Sequence, residues 1–335
     1  MLKLTVAILN YNGKKHLSNF LPSVVANSLD YEVVVIDNGS TDDSVEFLDS
    51  HFPEIKAIKF SENYGFCGGY NKAIQLIDSE YIVLLNTDVE VTPNWIAPVL
   101  SLLESDPTIA AAQPKILDYK SKKHFEYAGA AGGFLDVLGY PFCRGRIFHT
   151  IEEDHHQYQN VTDVLWASGA SLFVRKKAYL DTGGLDEDFF AHMEEIDLCW
   201  RFWNSGYKVK VCPQSTVYHL GGGTLDKSSP KKTYLNFRNG LSILLKNETG
   251  SALIWKLPLR ISLDWIAIFQ FSVLSGYQHG FAIIKAHWSF FTSLSGQLKK
   301  RKLIKRSGHN NPKYEGSIIW DYFVTRKKVY SEVNP

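Results

Sequence analysis

Sulfur is scarce in this sequence, with four cysteines and two methionines among 335 residues. Cys67, Cys143, Cys199 and Cys212 form neither close pairs nor zinc-ligand spacings. That argues against a disulfide framework and fits reduced thiols in a cytoplasmic protein. Net charge is almost absent, at +1, and no nucleic-acid partner is expected. Also missing are the spaced glycines of a dinucleotide fingerprint and the lysine-bearing phosphate loop, which counts against a dehydrogenase or a nucleotide hydrolase. The apolar run at residues 4–9 is too short for the core of a signal peptide and stops at Asn10, so it reads as a buried strand with no cleavage signal. There is no internal repeat.

Hydrophobic residues make up 45% of the chain, enough for one large core and a smaller second unit. The near-zero charge hides an asymmetry. Residues 251–335 carry 13 Lys and Arg against 4 Asp and Glu, while the preceding 250 carry 23 against 31. The basic end is expected to meet an anionic surface and the acidic body to do chemistry elsewhere.

Runs at 4–9, 32–36 and 81–85 are short, apolar and end in polar residues, as buried parallel strands do. Stretches at 14–27, 42–51 and 69–78 are long enough for crossover helices. The pattern predicts an α/β fold, an open and mostly parallel sheet with flanking helices. Ligands bind such sheets at the strand carboxyl ends, so residues 10–13, 37–42 and 86–90 are predicted to line one crevice. Beyond about 115 the pattern loosens into a Gly-rich, aromatic stretch, with a further strand at 170–174 and a helix at 194–204 closed by Gly206.

Each segment that carries chemistry has two readings. Asp37, at the end of a strand, accepts hydrogen bonds from a base or ribose, or else the Ser40, Thr41 and Asp42 that follow it simply cap a helix. Gly65, Gly68 and Gly69 precede a helix and either let the backbone approach a ligand or serve a tight turn. Asn86, Thr87 and Asp88 offer a hard carboxylate to a divalent cation, or form an ordinary turn. Glu194, Glu195 and Asp197 crowd the first turn of a helix, where one of them is a base or all three merely suit the dipole. His219, before Gly221, Gly222 and Gly223, is a cation ligand or a structural histidine. Trp166 offers an aromatic face to a ligand or packs in the core.

Together and in this order, these segments resemble the family 2 glycosyltransferases of the GT-A fold, in particular their rhamnosyltransferase-like branch. The resemblance spans about residues 4–245 and rests on Ile8-Leu9-Asn10-Tyr11-Asn12-Gly13, Val35-Ile36-Asp37-Asn38-Gly39-Ser40-Thr41-Asp42, residues 63–71, Leu84-Leu85-Asn86-Thr87-Asp88, Trp166-Ala167-Ser168-Gly169-Ala170, residues 189–201 and Tyr218-His219-Leu220-Gly221-Gly222. It implies an inverting transfer of a sugar from a nucleoside diphosphate donor, such as dTDP-rhamnose or a UDP-sugar, to a hydroxyl acceptor, in cell-surface polysaccharide synthesis. The implied donor contacts are Asn10, Asn12, Asp37, Asn63, Asn86 and Asp88. Asp88 and His219 would hold Mg²⁺ or Mn²⁺, Glu195 would be the base with Glu194 in reserve, and Trp166, Ser168, Gly169 and Asp197 would face the acceptor. Two positions depart from the commonest pattern: Glu195 stands where an aspartate is usual, and Asn86 replaces the first acid of the cation motif. A misplacement of about 1 Å can cost roughly a hundredfold in rate, so either the pocket is adapted to the longer side chain or the base lies at another position. The other classes considered are a nucleotidyltransferase and a decayed sugar-nucleotide-binding protein.

The expected organisation is a catalytic domain at 1–250, with a nucleotide-sugar half at 1–115, an acceptor half at 116–225 and a connecting helix at 226–250. A basic, Trp-rich helical extension follows at 251–335. Arg260, Asp264, Gln270, Lys285 and His287 interrupt its apolar stretches and count against a spanning helix. Trp255, Trp265 and Trp288 beside Lys299, Lys300, Arg301, Lys302, Lys305 and Arg306 suit amphipathic helices on an anionic bilayer. The other reading packs these helices on the body. On the first reading the protein is cytoplasmic, peripheral at the inner face of the cytoplasmic membrane, and a lipid-linked saccharide becomes an attractive acceptor.

Overall fold

The computed structural model describes residues 2–221, 229–307 and 311–333. The chain runs β1 (Leu2–Asn10), α1 (Lys14–Ala26), β2 (Glu32–Asp37), α2 (Ser44–His51), β3 (Lys56–Lys59), α3 (Gly65–Leu76), β4 (Ser79–Asn86), β5 (Val89–Val91), α4 (Ala97–Ser105) and β6 (Ile109–Asp118). Four short strands follow, β7 (Gly133–Leu135), β8 (Pro141–Cys143), β9 (Arg146–Ile147) and β10 (Thr150–Ile151), forming a sheet of their own. Then come β11 (Thr162–Asp163), β12 (Ser171–Arg175), α5 (Lys176–Asp181), α6 (Glu194–Asn204) and β13 (Lys208–His219). The helices α7 (Pro230–Asn247), α8 (Gly250–Leu274), α9 (Tyr277–Thr292), α10 (Leu294–Leu303), α11 (Ile318–Phe323) and α12 (Tyr330–Val333) complete it.

The large sheet has the order β11-β13-β6-β12-β4-β1-β2-β3, with β5 paired to β13. Strands β4, β1, β2 and β3 are parallel neighbours, the first three as the apolar runs predict and β3 in addition to them, and β12 is antiparallel between β4 and β6. Val33, Val34, Val35 and Ile36 are all buried because helices cover both faces of the sheet. β6 and β13 lie where the sequence pattern loosens. Pro114 interrupts the first of them, and Pro213 sits in the second where its pairing slips between Cys212 and Thr216, so neither alternates cleanly.

One expectation changes at α3: the helix begins at Gly65, so Gly68 and Gly69 are helical residues and not a preceding loop. A Cβ at Gly69 would stand 2.8 Å from Leu9 Cδ1, so glycine there lets the helix lie against the end of β1.

The C-terminal helices dock on the body through charge. Lys256, Arg260 and Asp264 recur every four residues, hence on one face of α8, and all three are buried. Arg260 bonds Asp264 at 3.1 Å and lies 3.5 Å from the Tyr140 ring centroid, and His287 Nε2 meets Asp264 at 3.2 Å. The outward surfaces of α8 and α9 are apolar and exposed, with Trp265 at 60% and Phe269 at 75% on α8 and Trp288 at 73% on α9. Arg260, Asp264 and His287 therefore point inward and do not interrupt those surfaces, whereas Gln270 and Lys285 are exposed. Among the described residues, α8 alone is long and apolar enough to cross a membrane by length and composition.

The basic cluster is also partly spent. Lys300 pairs with Asp186 and Asp188, and Arg301 and Arg306 donate to carbonyls at the end of α7. Lys299, Lys302 and Lys305 remain exposed. Residues 311–333 return to the small sheet, where Ile318 N donates to Asp136 and Tyr330 stacks near Phe134.

Lys246, 2% exposed, contacts Asp186 at 2.5 Å and Asp197 at 2.9 Å, tying α7 to α6. Lys246→Met leaves two buried carboxylates under-compensated, and the expected loss is about 3 kcal/mol. A urea unfolding midpoint unchanged from the parent's would contradict this.

Candidate active site

Strand register builds the first wall. Asn10 lies opposite Asp37 and Leu9 opposite Asn86, which brings three strand ends level. Asn10 Nδ2 donates to Asp37 Oδ1 and Ser40 Oγ, both at 3.2 Å, and Ser40 N donates to Asp37 Oδ2 at 3.1 Å. Asn12, at φ 51°, accepts from the Thr41 and Asp42 amides at 2.7 and 3.3 Å. Asn38, not singled out from sequence, donates to Asn63 Oδ1 at 2.9 Å and accepts from Tyr64 N at 3.1 Å. Asn10, Asn12 and Asn38 thus clip the crevice loops in place. Asn10 Oδ1 remains buried with no hydrogen bond from the described residues.

The second wall is a carboxylate–imidazole–carboxylate line. The turn after β4 carries Asp88, and β13 pairs with β5 so that His219 stands beside it. His219 Nε2 lies 3.2 Å from Asp88 Oδ1, and its Nδ1 lies 3.5 Å from Glu126 Oε1. Glu126 is anchored in turn, its Oε2 accepting from Ala128 N at 2.6 Å. Burial opposes a charge on the imidazole, but the two carboxylates outweigh it and hold His219 up at about 10. Burial likewise pushes Asp88 and Glu126 up, yet contact with His219 leaves both below the usual carboxylate range.

Asp88 and the imidazole of His219, once the ring has given up its proton, would together hold a divalent cation. Among the described residues no group of three or more His, Cys, Asp and Glu is placed to hold a metal ion by itself. A cation here would complete its shell from a diphosphate and water, as Mg²⁺ commonly does. Glu126 faces the far nitrogen at 3.5 Å, a charge contact rather than a hydrogen bond, and would favour that ring orientation.

The third wall is the start of α6. Phe190, His192 and Met193 all have positive φ, at 26°, 66° and 74°, a strained run of the kind that persists where surroundings over-determine it. Asn239 on α7 supplies part of that restraint, its Nδ2 donating to the Ala191 and His192 carbonyls at 3.0 and 2.7 Å. The run delivers Glu194 and Glu195, each with a buried Oε2 that takes no hydrogen bond from the described residues. Burial pushes Glu195 up to about 7, and burial together with the Glu195 charge raises Glu194.

A segment of small residues joins the walls. Asn86 N donates to Ala170 O at 3.0 Å, and Ser168 Oγ donates to Ala128 O at 2.7 Å, two residues from Glu126. A Cβ on Gly169 would stand 3.8 Å from Glu195 Cβ. The cation wall and the acid wall therefore meet across Ser168, Gly169 and Ala170.

Two predicted residues lie elsewhere. Trp166 is 2% exposed, its Nε1 donates to Phe134 O, and a Cβ on Gly133 would fall 2.0 Å from its indole. It is a core residue with no face for a sugar. Asp197 is fully buried by Arg201, Lys246 and Asn247 at 2.8–2.9 Å, drawn inward by those donors and away from the acceptor side. Gly222 and Gly223 lie outside the described residues. Glu126 escaped the sequence reading because it sits in an irregular stretch with no spacing to mark it.

The matches to known proteins are to glycosyltransferases. Residues 5–164 match the family model for Glycosyl transferase family 2. Over 277 residues the chain is 26% identical to the N-acetylglucosaminyl-diphospho-decaprenol L-rhamnosyltransferase of Mycobacterium tuberculosis, covering 78% of this chain and 89% of that one. Its fold is similar to S. aureus TarS 1-349 in complex with UDP-GlcNAc, with TM-score 0.59, 15% identity and coverage of 87% of this chain and 81% of that one. It also resembles GalNAc-T7 with UDP, GalNAc and Mn²⁺, with TM-score 0.56 and 18% identity, covering 73% of this chain but 48% of that one.

Proposed function

We propose that this protein is an inverting, cation-dependent glycosyltransferase that moves a sugar from a nucleoside diphosphate, with dTDP-rhamnose or a UDP-sugar as the leading donors, to a lipid-linked saccharide at the cytoplasmic membrane. The observation that carries this reading is the meeting of the Asp88–His219 pair and the Glu194–Glu195 pair across Gly169. Residues 1–250 would form the catalytic domain and α8–α10 the membrane-facing extension.

In this reading the loops clipped by Asn10, Asn12 and Asn63 hold the nucleotide beside Asp37, and Asn86 lies near the diphosphate. Asp88 and His219 would hold Mg²⁺ or Mn²⁺, which neutralises charge on the departing diphosphate. Glu195 removes the proton of the acceptor hydroxyl, whose oxygen bonds to the anomeric carbon from the face opposite the breaking diphosphate bond. Ser168 and Gly169 leave room for the acceptor. A lipid-linked acceptor accords with the relative whose substrate is named as a diphospho-decaprenol and with the exposed aromatic face of α8 and α9.

The test supplies Mn²⁺, each donor and a lipid-linked saccharide, and follows the nucleotide product. Release of nucleoside diphosphate coupled to sugar transfer supports the reading. Release of pyrophosphate would show nucleotidyl transfer, and donor binding without turnover would show a decayed enzyme. For the membrane, the full chain is expected to co-sediment with vesicles containing anionic lipid, and the Trp265→Glu, Phe269→Glu double variant to stay in solution. Equal sedimentation of both proteins would remove the bilayer from this proposal.

A further inference from the structure

Between the first turns of α7 and α9 lies a hollow of about 790 Å³, within the range of small-molecule sites. Tyr234, Tyr277, Phe281 and Ala282 supply apolar lining, and Lys231 and Lys285 supply two positive charges. The lysines rest on rings, Lys231 Nζ 4.5 Å from the centroid of Phe190 and Lys285 Nζ 5.5 Å from that of Tyr234. Among the described residues neither pairs with a carboxylate. An apolar hollow carrying two ammonium groups that no described carboxylate neutralises is complementary to an amphiphile whose head bears clustered negative charge.

Position sharpens the match. On its outer side Tyr277 and Phe281 are exposed, at 77% and 66%, and continue the apolar face of α8 and α9. On its inner side Lys231 touches Phe190, four residues before Glu194, and Arg238 on the same helix donates to Asp188 O at 2.9 Å. The hollow thus joins the bilayer-facing surface to the loop that presents the proposed base.

We propose that it holds the lipid diphosphate end of the acceptor. The first apolar units of the lipid lie against Tyr277, Phe281 and Ala282, and the diphosphate sits on Lys231 and Lys285. The attached saccharide then extends toward Glu194 and Glu195. This rests on the reading of a lipid-linked acceptor and deepens it by naming the subsite.

The full-length protein in detergent is titrated calorimetrically with farnesyl diphosphate, farnesol and inorganic pyrophosphate. Farnesyl diphosphate is expected to bind about tenfold or more tightly than either fragment, and the Lys231→Ala, Lys285→Ala double variant to weaken it by about tenfold. Ala282→Trp, which fills the hollow, has the same effect. The thermal shift given by donor and Mn²⁺ reports that each variant is folded. A change below about threefold in the lysine variant, or pyrophosphate binding as tightly as farnesyl diphosphate, overturns the subsite. Transfer to a lipid-linked saccharide at an unchanged KM by the lysine variant also overturns it, while the lipid acceptor stands. If the parent uses soluble saccharides and no lipid-linked one, the lipid acceptor itself falls.

Discussion

Glu195→Gln is expected to lower the transfer rate by about 10²–10⁴-fold, the usual contribution of a positioned base, with donor affinity near the parent's. Glutamine keeps the shape and the buried position but cannot take a proton. Glu194→Gln, measured beside it, assigns the role: the variant with the larger loss carries the base, and full activity in both removes the base from this helix. The pH profile gives an independent reading. Burial holds Glu195 up at about 7, so kcat/KM should rise with pH through about 7 as the base ionises. The same shift has the opposite sign for stability. A carboxyl whose folded value is raised keeps a proton that the unfolded chain releases near 4.5. Its contribution is complete below that pH and is lost as pH rises through about 7. Glu195→Gln should therefore flatten the decline in unfolding free energy between those values while abolishing the rise in rate. A rate profile flat across pH 7 in the parent would show that another group limits the proton transfer.

Asp88→Ala is expected to remove the effect of Mn²⁺ on donor binding and to lower transfer by at least about 10²-fold, since the charge developing on the diphosphate loses its fixed counter-charge. The readouts are the Mn²⁺ dissociation constant by electron paramagnetic resonance and the donor-induced thermal shift with and without chelator. Glu126→Gln provides the graded comparison. It touches His219 from the side away from Asp88, so it should weaken Mn²⁺ by about 10–100-fold through ring orientation with Asp88 intact. Full transfer by Asp88→Ala under chelation would reject the cation, and an unchanged Mn²⁺ affinity in Glu126→Gln would reject the orienting role.

The parallel half of the sheet was legible because strands covered on both faces read as unbroken apolar runs, and a run that ends in Asn10, Asp37 or Asn86 announces a strand end where ligands bind. Within those segments order along the chain sufficed, since each motif is local and its neighbours in register are its neighbours in the pattern. The helix at Glu194 was legible for the same reason, although the positive φ of Phe190, His192 and Met193 was not, because none of those residues advertises a left-handed backbone. Trp166 could not be assigned from its sequence, since the same indole serves a core or a sugar, and only the approach of Gly133 decides between them.

The residues themselves carried the family resemblance, the strand ends that converge and the chemical kinds of group brought there. Tertiary structure alone decided which partner each group faces. Glu126 reaches His219 from an unmarked loop, Lys246 takes Asp197 out of the cleft, and Arg260, Asp264 and His287 turn toward the body so that the aromatic face of α8 and α9 is left outward. The physical reason is common to all three: a buried charge must find partners, and beyond the i,i+4 pairs the deciding ones, His219 for Glu126, Asp197 for Lys246, and Tyr140 and His287 for the α8 charges, lie far along the chain or on the next helix.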